Sequence, residues 1–437
     1  MARLAACAFS FLQAAAVFAS PVATRANANK LVFAHHIVGN TFNYTQSTWE
    51  KDIALASSKG IDAFALNIGP DSWEQGQVSN AYAAAASLQD STFKLFISFD
   101  MSVFPCSAAE HASAIQQYIQ NFAGHPSQLH VEGRVFVSTF AGEGCTFGTG
   151  SVNQGWTNVV KNSGANTYFV PSFFVDPSTF GGFSVFDGVF SWNSGWPMGN
   201  FNVSFDPDQA YVSNLPGRSY MAAASAWFFT HYGPNTFNKN FIYRGDDWLL
   251  AERWETLIAN RDAVDFVEVN TWNDYGESHY VGPVEGVQPM SQAWVDGYDH
   301  SSWLDLIAYY AAAFKTGTFP PITADRTFLW ARLSPAGASA ADDSVGKPAN
   351  WQWTQDFLWA VVQLTAPADV TLACGPSTLT TRAPAGLTKL KLPLTADCSV
   401  SSTITRGANS TTFAPPGMSF STAPTTYNFN AFVAASP

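Results

Sequence analysis

Between residues 30 and 316 the chain repeats one pattern through eight short apolar runs, all but one followed by a longer amphipathic stretch. No other feature restricts the fold as tightly. The apolar runs are Leu31–Ile37, Ala63–Ile68, Lys94–Phe99, Val135–Phe140, Tyr168–Phe174, Val185–Ser191, Tyr220–Phe229 and Phe266–Asn270. Most are rich in β-branched and aromatic residues, as buried strands are. Between and after them Ser47–Ser58, Ser79–Leu88, Ala108–Phe122, Gly155–Lys161, Asp206–Ser213, Trp248–Asn260 and Ser302–Phe314 read as helices. Ser47 with Glu50 three residues later has the pattern of a capping box. Only the connection after Tyr168–Phe174 lacks a helical pattern. Eight buried strands with helical returns predict an α/β fold, a (β/α)8 TIM barrel. The alternative is an open doubly wound sheet. Against it, the first strand runs into Val38-Gly39-Asn40-Thr41 rather than a G-x-G-x-x-G turn.

The texture changes after Lys315. Residues 321–350 are rich in Pro, Ala, Ser and Gly, and beyond Trp351 short alternating runs are separated by Pro, Gly and Asn turns. A C-terminal β-sandwich domain is expected there. At the other end Arg3 precedes the uncharged apolar run Leu4–Ala19, and small residues follow, as in a secretory signal. The predicted organisation is therefore a signal peptide over 1–26, a catalytic barrel over 27–320 and an accessory β-sandwich over 321–437. No later segment reads as a membrane span, so a secreted, extracellular protein is expected.

Of five cysteines, Cys7 falls in the signal region, leaving Cys106, Cys145, Cys374 and Cys398. Proximity within each half favours Cys106–Cys145 and Cys374–Cys398 as disulfides. No C-x-x-C or H-x-x-x-H spacing supports a zinc site. Sequons at Asn43, Asn202 and Asn409 fit a secretory route. With 21 Lys+Arg against 33 Asp+Glu, the net charge of −12 excludes nucleic acid as a natural partner. Only 12% of residues are charged while 15% are aromatic, a balance suited to a neutral, polar, ring-shaped ligand such as a sugar.

In a barrel, chemistry gathers where the strands end. The polar and indole residues at or beyond the ends of the apolar runs are His35, Asn67, Asp71, Trp73, Asp100, Trp192, Asn193, Trp227 and His231. The last run ends in Asn270-Thr271-Trp272-Asn273-Asp274-Tyr275-Gly276-Glu277-Ser278-His279. Glycosidic hydrolysis needs two carboxyls, one to protonate the leaving oxygen and one to serve as base or nucleophile. Indoles stack on the C–H faces of sugars, and Asn and His partner their hydroxyls. Asp274 and Glu277 can meet only if the chain turns between them, which Gly276 permits. For Asp100 the structural alternative is a cap on the following loop. For His35 it is a hydrogen-bonded barrel histidine.

The segments Phe33-Ala34-His35, Gly60-Ile61-Asp62-Ala63-Phe64-Ala65-Leu66-Asn67, Lys94-Leu95-Phe96-Ile97-Ser98-Phe99-Asp100-Met101, Trp227-Phe228-Phe229-Thr230-His231, Asp247-Trp248 and Thr271–Tyr280 occur in an order that resembles one family. They are similar to the fungal α-1,3-glucanases (mutanases) of glycoside hydrolase family 71. The resemblance implies a barrel with a β-sandwich behind it, secretion, and hydrolysis of α-1,3-glucan with inversion. It puts the catalytic carboxyls at Asp274 and Glu277, and a further essential aspartate at Asp100. Glu277 is expected as acid and Asp274 as base. Substrate contacts are expected from His35, Asn67, Asp71, Trp73, Trp192, Asn193, Trp227, His231, Asp247, Trp248, Asn270, Trp272, Tyr275 and His279. No metal or organic cofactor is implied, and a monomer acting on α-1,3-glucan polysaccharide or oligosaccharide is expected. The alternatives are a glucan-binding barrel without catalysis and a hydrolase of a different neutral glycan.

Overall fold

A computed structural model describes residues 30–88 and 92–437. The expected signal segment, residues 1–26, lies outside the described residues. In chain order the first part comprises β1 (Leu31–Ile37), α1 (Gln46–Ser58), β2 (Ala63–Ile68), α2 (Glu74–Ser87), β3 (Lys94–Asp100), α3 (Ala112–Phe122), β4 (His130–Val131), β5 (Arg134–Phe140), α4 (Val152–Trp156) and β6 (Thr167–Ser172). It continues through β7 (Gly188–Ser191), α5 (Asp206–Ser213), β8 (Ser219–Ala224), the short pair β9 (Phe229–His231) and β10 (Asn240–Ile242), α6 (Leu249–Ala259), β11 (Phe266–Val269), α7 (Gln292–Val295) and α8 (Trp303–Thr316).

Strands β6, β5, β3, β2, β1, β11, β8 and β7 pair in parallel in that order. The order follows the chain without the reversal of a doubly wound sheet, and the sheet curls so that β6 approaches β7. Across that seam the Asp187 N–H donates to Phe169 O at 2.9 Å. The Phe169 N–H donates back to Asp187 Oδ2 at 2.8 Å. This is a mixed α/β fold built on a curled sheet. The capping box of α1 uses Thr45 and Thr48, two residues before the predicted start. The connection lacking a helical pattern holds a short 3-10 turn, Pro177–Gly182, capped by Asp176.

Side chains alternate between the two faces of each strand, so the concave face is legible by period two. Phe33, Phe96, Phe136, Tyr168, Phe190, Met221 and Phe266 fill its lower part. Phe33 meets Phe96, Phe136 and Phe266 at 5.0, 5.6 and 5.6 Å. Two residues further along the same strands stand His35, Ser98, Ser138 and Glu268. Beyond these come Asn67, Asp100, Phe140, Trp192 and Asn270. The concave face is thus apolar below and polar at the C-terminal edge.

The remainder forms β12 (Arg326–Ala331), β13 (Phe357–Leu364), β14 (Ala368–Cys374), β15 (Ser377–Ala383), β16 (Gly386–Pro393), β17 (Cys398–Arg406), β18 (Asn409–Phe413), β19 (Ser419–Phe420) and β20 (Phe432–Ala435). Two antiparallel sheets result, β16-β13-β12-β20 and β15-β14-β17-β18, with β19 paired to β17. Leu329, Leu358, Leu372 and Val400 belong to one buried cluster drawn from both. Indole N–H groups join this region to the first: Trp227 donates to Phe429 O (2.9 Å), Trp248 to Ala360 O (3.1 Å), Trp330 to Asp247 O (2.9 Å) and Trp359 to Asp246 Oδ1 (3.0 Å). Each of these four indoles thereby keeps a hydrogen bond. Disulfides join Cys106 to Cys145 and Cys374 to Cys398, with Cα separations of 5.1 and 5.2 Å. The first ties the loop after β3 to the loop after β5.

Candidate active site

Beyond β11 the backbone leaves the sheet and closes a loop on itself. Thr271 N–H donates to His279 O at 2.8 Å, and Val281 N–H donates to Thr271 O at 2.9 Å. Inside the loop, Asp274 N–H donates to Thr271 Oγ1 (2.8 Å), and Glu277 N–H donates to Asp274 Oδ1 (3.1 Å). Asn273 anchors the loop to β1 by accepting from Ile37 N (2.7 Å) and donating to Ile37 O (3.0 Å). The left-handed position the turn requires is filled by Ser278, with φ 58°. Gly276 serves another purpose: a Cβ there would stand 2.3 Å from the Tyr232 hydroxyl oxygen.

This closure brings Asp274, Glu277 and His279 together. His279 Nε2 lies 3.3 Å from Asp274 Oδ2 and 3.1 Å from Glu277 Oε2. The imidazole is fully buried, whereas the two carboxylates keep 17% and 23% of their side-chain surface in solvent. Lys239 Nζ approaches Glu277 Oε1 at 3.2 Å. Burial opposes the charged imidazole, but Asp274 above all, and then Glu277, outweigh it and raise His279 to about 9. Burial likewise opposes an ionised Asp274, yet His279 and the Glu277 N–H hold its carboxyl below the usual value. His279 is therefore a cation at neutral pH, lying parallel to Phe228 at 5.6 Å and edge-on to Trp196 at 5.4 Å. Tyr232 belongs to the same neighbourhood. Its phenol is pushed up by burial and then by Asp274 and Glu277.

One ligand atom from each of Asp274, Glu277 and His279 lies within 4.8 Å of the others, a span a small cation could bridge. The shared imidazolium proton already occupies that space. The same figure bears on the chemistry, because an inverting pair is expected roughly 6.5–9.5 Å apart. The nearest oxygens here are closer, because both carboxylates are drawn onto one N–H.

Of the other expected residues, His35 and Trp192 lie beside this group. His35 Nδ1 pairs with Glu268 Oε1 at 2.8 Å, and its ring meets Trp192 edge-on at 4.8 Å. Trp192 is half-buried and 6.4 Å from His279. Asn270 is buried with both side-chain polar atoms lacking a partner among the described residues, as does Glu268 Oε2. Asn67 and Asp100 end β2 and β3 on the same concave face. Asp100 Oδ1 accepts from Ser102 N (3.0 Å) and Ser102 Oγ (2.5 Å), so it does cap its loop. Asp71, Trp73 and Asn193 lie in loops at this edge, Asp71 and Asn193 exposed and Trp73 half-buried.

Six expected substrate contacts fall elsewhere. Trp227 and Trp248 are taken up in packing against the C-terminal sheets, and Asp247 gives its backbone carbonyl to Trp330 while its carboxylate faces Arg244 Nε at 3.5 Å. His231 spends both ring nitrogens, on Asn240 Oδ1 and Asp343 Oδ2, each at 2.9 Å. Trp272 is buried against Phe64, and Tyr275 is buried with its hydroxyl on Pro283 O. His279 itself serves the carboxylates from below rather than a sugar hydroxyl. Sequence reasoning missed Glu268, Lys239, Tyr232 and Glu74. The signal for Glu268 was a lone charge inside the apolar run Phe266-Val267-Glu268-Val269. Glu74 is raised to about 7 by burial, against a hydrogen bond from Gly69 N–H, with Asp71 and Asp100 adding to the rise. The sequon residues Asn43, Asn202 and Asn409 are all exposed.

The sequence model of the family described as Glycosyl hydrolase family 71 matches residues 28–437. A glucan endo-1,3-alpha-glucosidase of Schizosaccharomyces pombe is 40% identical over 414 residues, covering 93% of this chain and 94% of that protein. A mutanase of Penicillium rubens is 35% identical, covering 79% and 75%. An ascus wall endo-1,3-alpha-glucanase of S. pombe is 34% identical, covering 77% and 79%. Among solved structures, a bacterial GH99 endo-alpha-mannosidase superposes with a TM-score of 0.51 at 10% identity, covering 65% of this chain and 97% of that one. That likeness is one of fold.

Proposed function

Because the chain belongs to glycosyl hydrolase family 71, we propose that it cleaves α-1,3-glucosidic bonds within α-1,3-glucan, with Asp274 and Glu277 as its acid–base pair. It is a glycoside hydrolase, and the names of two relatives support both the linkage and internal cleavage. The observation that carries the residue assignment is the pair of half-buried carboxylates held by one buried imidazolium at the end of β11. Asp274, held ionised by His279, takes a proton from the attacking water. Glu277, the more exposed of the two, takes up a proton from solvent before each cleavage and gives it to the glycosidic oxygen as the C–O bond breaks. For inversion Glu277 has to swing off His279 toward the sugar, opening room for that water. The short spacing favours a second reading, in which Asp274 attacks the anomeric carbon and the configuration is retained.

His35, Glu268, Asn270 and Trp192 lie beside the pair, and the unpartnered Glu268 Oε2 and Asn270 amide suit sugar hydroxyls. Asp100, with one oxygen left after its loop cap, and Asn67 extend that lining. We read the curled sheet as a (β/α)8 barrel over 27–320 and the two antiparallel sheets as a β-sandwich over 321–437. The eight parallel strands in chain order and the Asp187–Phe169 seam support the first reading. We read the protein as secreted and glycosylated, supported by the N-terminal signal pattern and the sequons, and as acting on wall glucan, supported by the name of the ascus wall relative. The described residues contain no helix long and apolar enough to cross a membrane. The test is reducing-end release from α-1,3-, α-1,4- and β-1,3-glucans, with NMR of the anomer first released. Release from α-1,3-glucan alone, as the β-anomer, supports inversion, and the α-anomer supports the second reading. No release overturns both.

A further inference from the structure

Among the described residues nine large apolar side chains are strongly exposed, and eight of them stand in loops that leave the C-terminal ends of the parallel strands. Only Phe319, beyond α8, lies elsewhere. Scattered exposed apolar residues are ordinary, but concentration on the edge that carries the carboxylates is not. Four of the eight are phenyls. Phe42 and Phe201 each precede a sequon asparagine, so a glycan at Asn43 or Asn202 would cover them. Phe174 and Phe237, 39% and 55% exposed, have no such neighbour.

These two rings end separate aromatic arms that meet at the catalytic loop. On one side Phe174 packs edge-on against Phe140 (5.2 Å), Phe140 against Trp192 (4.9 Å), and Trp192 against His35 (4.8 Å). On the other Phe237 packs edge-on against Tyr232 (4.7 Å), whose hydroxyl abuts Gly276 between Asp274 and Glu277. Phe174 is thus braced by half-buried rings and Phe237 by a buried one, so each loses little rotamer entropy on binding. The loop around Phe237, from Gly233 to Lys239, is otherwise Pro, Asn and Thr with one Lys.

We propose that Phe174 and Phe237 are outlying sugar-stacking positions, one on each side of the carboxylate pair, that hold a neutral polysaccharide chain across the site. The inference rests on the glycoside-hydrolase reading. Contacts run from Phe174 through Phe140 and Trp192 to His279, and from Phe237 through Tyr232 to Gly276, so the catalytic loop links the two rings, as suits a substrate chain. The Phe237 loop carries one Lys, and beside Phe174 stand Glu143, which accepts from its N–H at 3.3 Å, and Asp176; the rings themselves are neutral, and a phenyl offers its face to pyranose C–H groups.

The test uses the double variant Phe174→Ala/Phe237→Ala, with Phe319→Ala as the exposed control. Depletion by insoluble α-1,3-glucan is measured in an Asp274→Asn background, so the polymer is not consumed. The double variant should bind about tenfold more weakly. In the active background its kcat/KM should fall far more on long than on short α-1,3-oligosaccharides. Phe319→Ala should match the parent in both, and all variants should melt alike. Unchanged glucan binding with an unchanged long-to-short ratio would overturn the proposal. So would a parent that sediments as a dimer and a double variant that sediments as a monomer with glucan binding intact. Failure of the hydrolase reading is separable: the active parent would then release no reducing ends, whatever the binding assay reads.

Discussion

Replacing His279 by Gln removes the positive charge between the carboxylates and keeps a donor of similar reach. In the intact protein the buried imidazole is raised from 6.5 to about 9. That net shift, left after burial's opposing effect, corresponds to on the order of 3 kcal/mol in favour of the cation. Its sign fixes the pH window. A group whose pKa is raised on folding contributes fully below about 6.5, and the contribution is lost as pH climbs through about 9. The parent's melting temperature should therefore decline between these values from this source, and the decline should vanish in His279→Gln. Activity gives a second reading. Without the imidazolium, burial is opposed only by the Glu277 N–H and Lys239, so the ionisation of Asp274 moves to higher pH. The acidic limb of kcat/KM on a soluble α-1,3-oligosaccharide should move up by about one unit or more. An acidic limb that stays in place, with the same melting profile as the parent, would refute the view of His279 as a cation shared by the pair.

Gly276→Ala puts a methyl 2.3 Å from the Tyr232 hydroxyl oxygen, so the loop carrying both carboxylates has to shift. About a hundredfold loss of kcat is expected with little change in melting temperature, and full activity would show the loop tolerates the displacement. Trp227→Phe leaves the Phe429 carbonyl without its indole donor. Stability should fall by about 1–2 kcal/mol with KM nearly unchanged, and a raised KM at unchanged stability would return Trp227 to the cleft. Asp100→Asn keeps the Ser102 contacts in number. A severe loss of kcat would mean that Asp100 touches the sugar, and a silent variant would confine it to its loop.

The strands and most helices were legible because their signals are local. β1 and β2 coincide with their apolar runs, and α5 with its predicted span. The disulfide partners were legible because each pair closes a loop within its own part of the chain. The indoles were not. Trp192, Trp227 and Trp272 all follow strand ends, but only Trp192 remains beside the carboxylates. Which side of a strand end faces solvent depends on what later packs there, and for Trp227 and Trp248 that is sequence more than a hundred residues away. His279 was legible as a candidate but not in its role. Positions 274, 277 and 279 converge only because Thr271 hydrogen-bonds residues 279 and 281, and spacing does not encode that closure. The exposed phenyls escaped because loop residues show no periodicity to separate a platform from a solvated turn.

The account's central claim is that Asp274 and Glu277 together carry out the cleavage. Its most direct test is reducing-end release from α-1,3-glucan by Asp274→Asn and Glu277→Gln, each compared with the parent at the parent's pH optimum. Both substitutions keep size and hydrogen-bonding capacity while removing the acid–base function. Each variant should lose about three powers of ten or more in kcat while melting within a few degrees of the parent and still binding glucan. Either variant retaining more than about a tenth of the parent's rate would contradict the assignment and shift its role to another carboxylate on the same edge, Asp100 first.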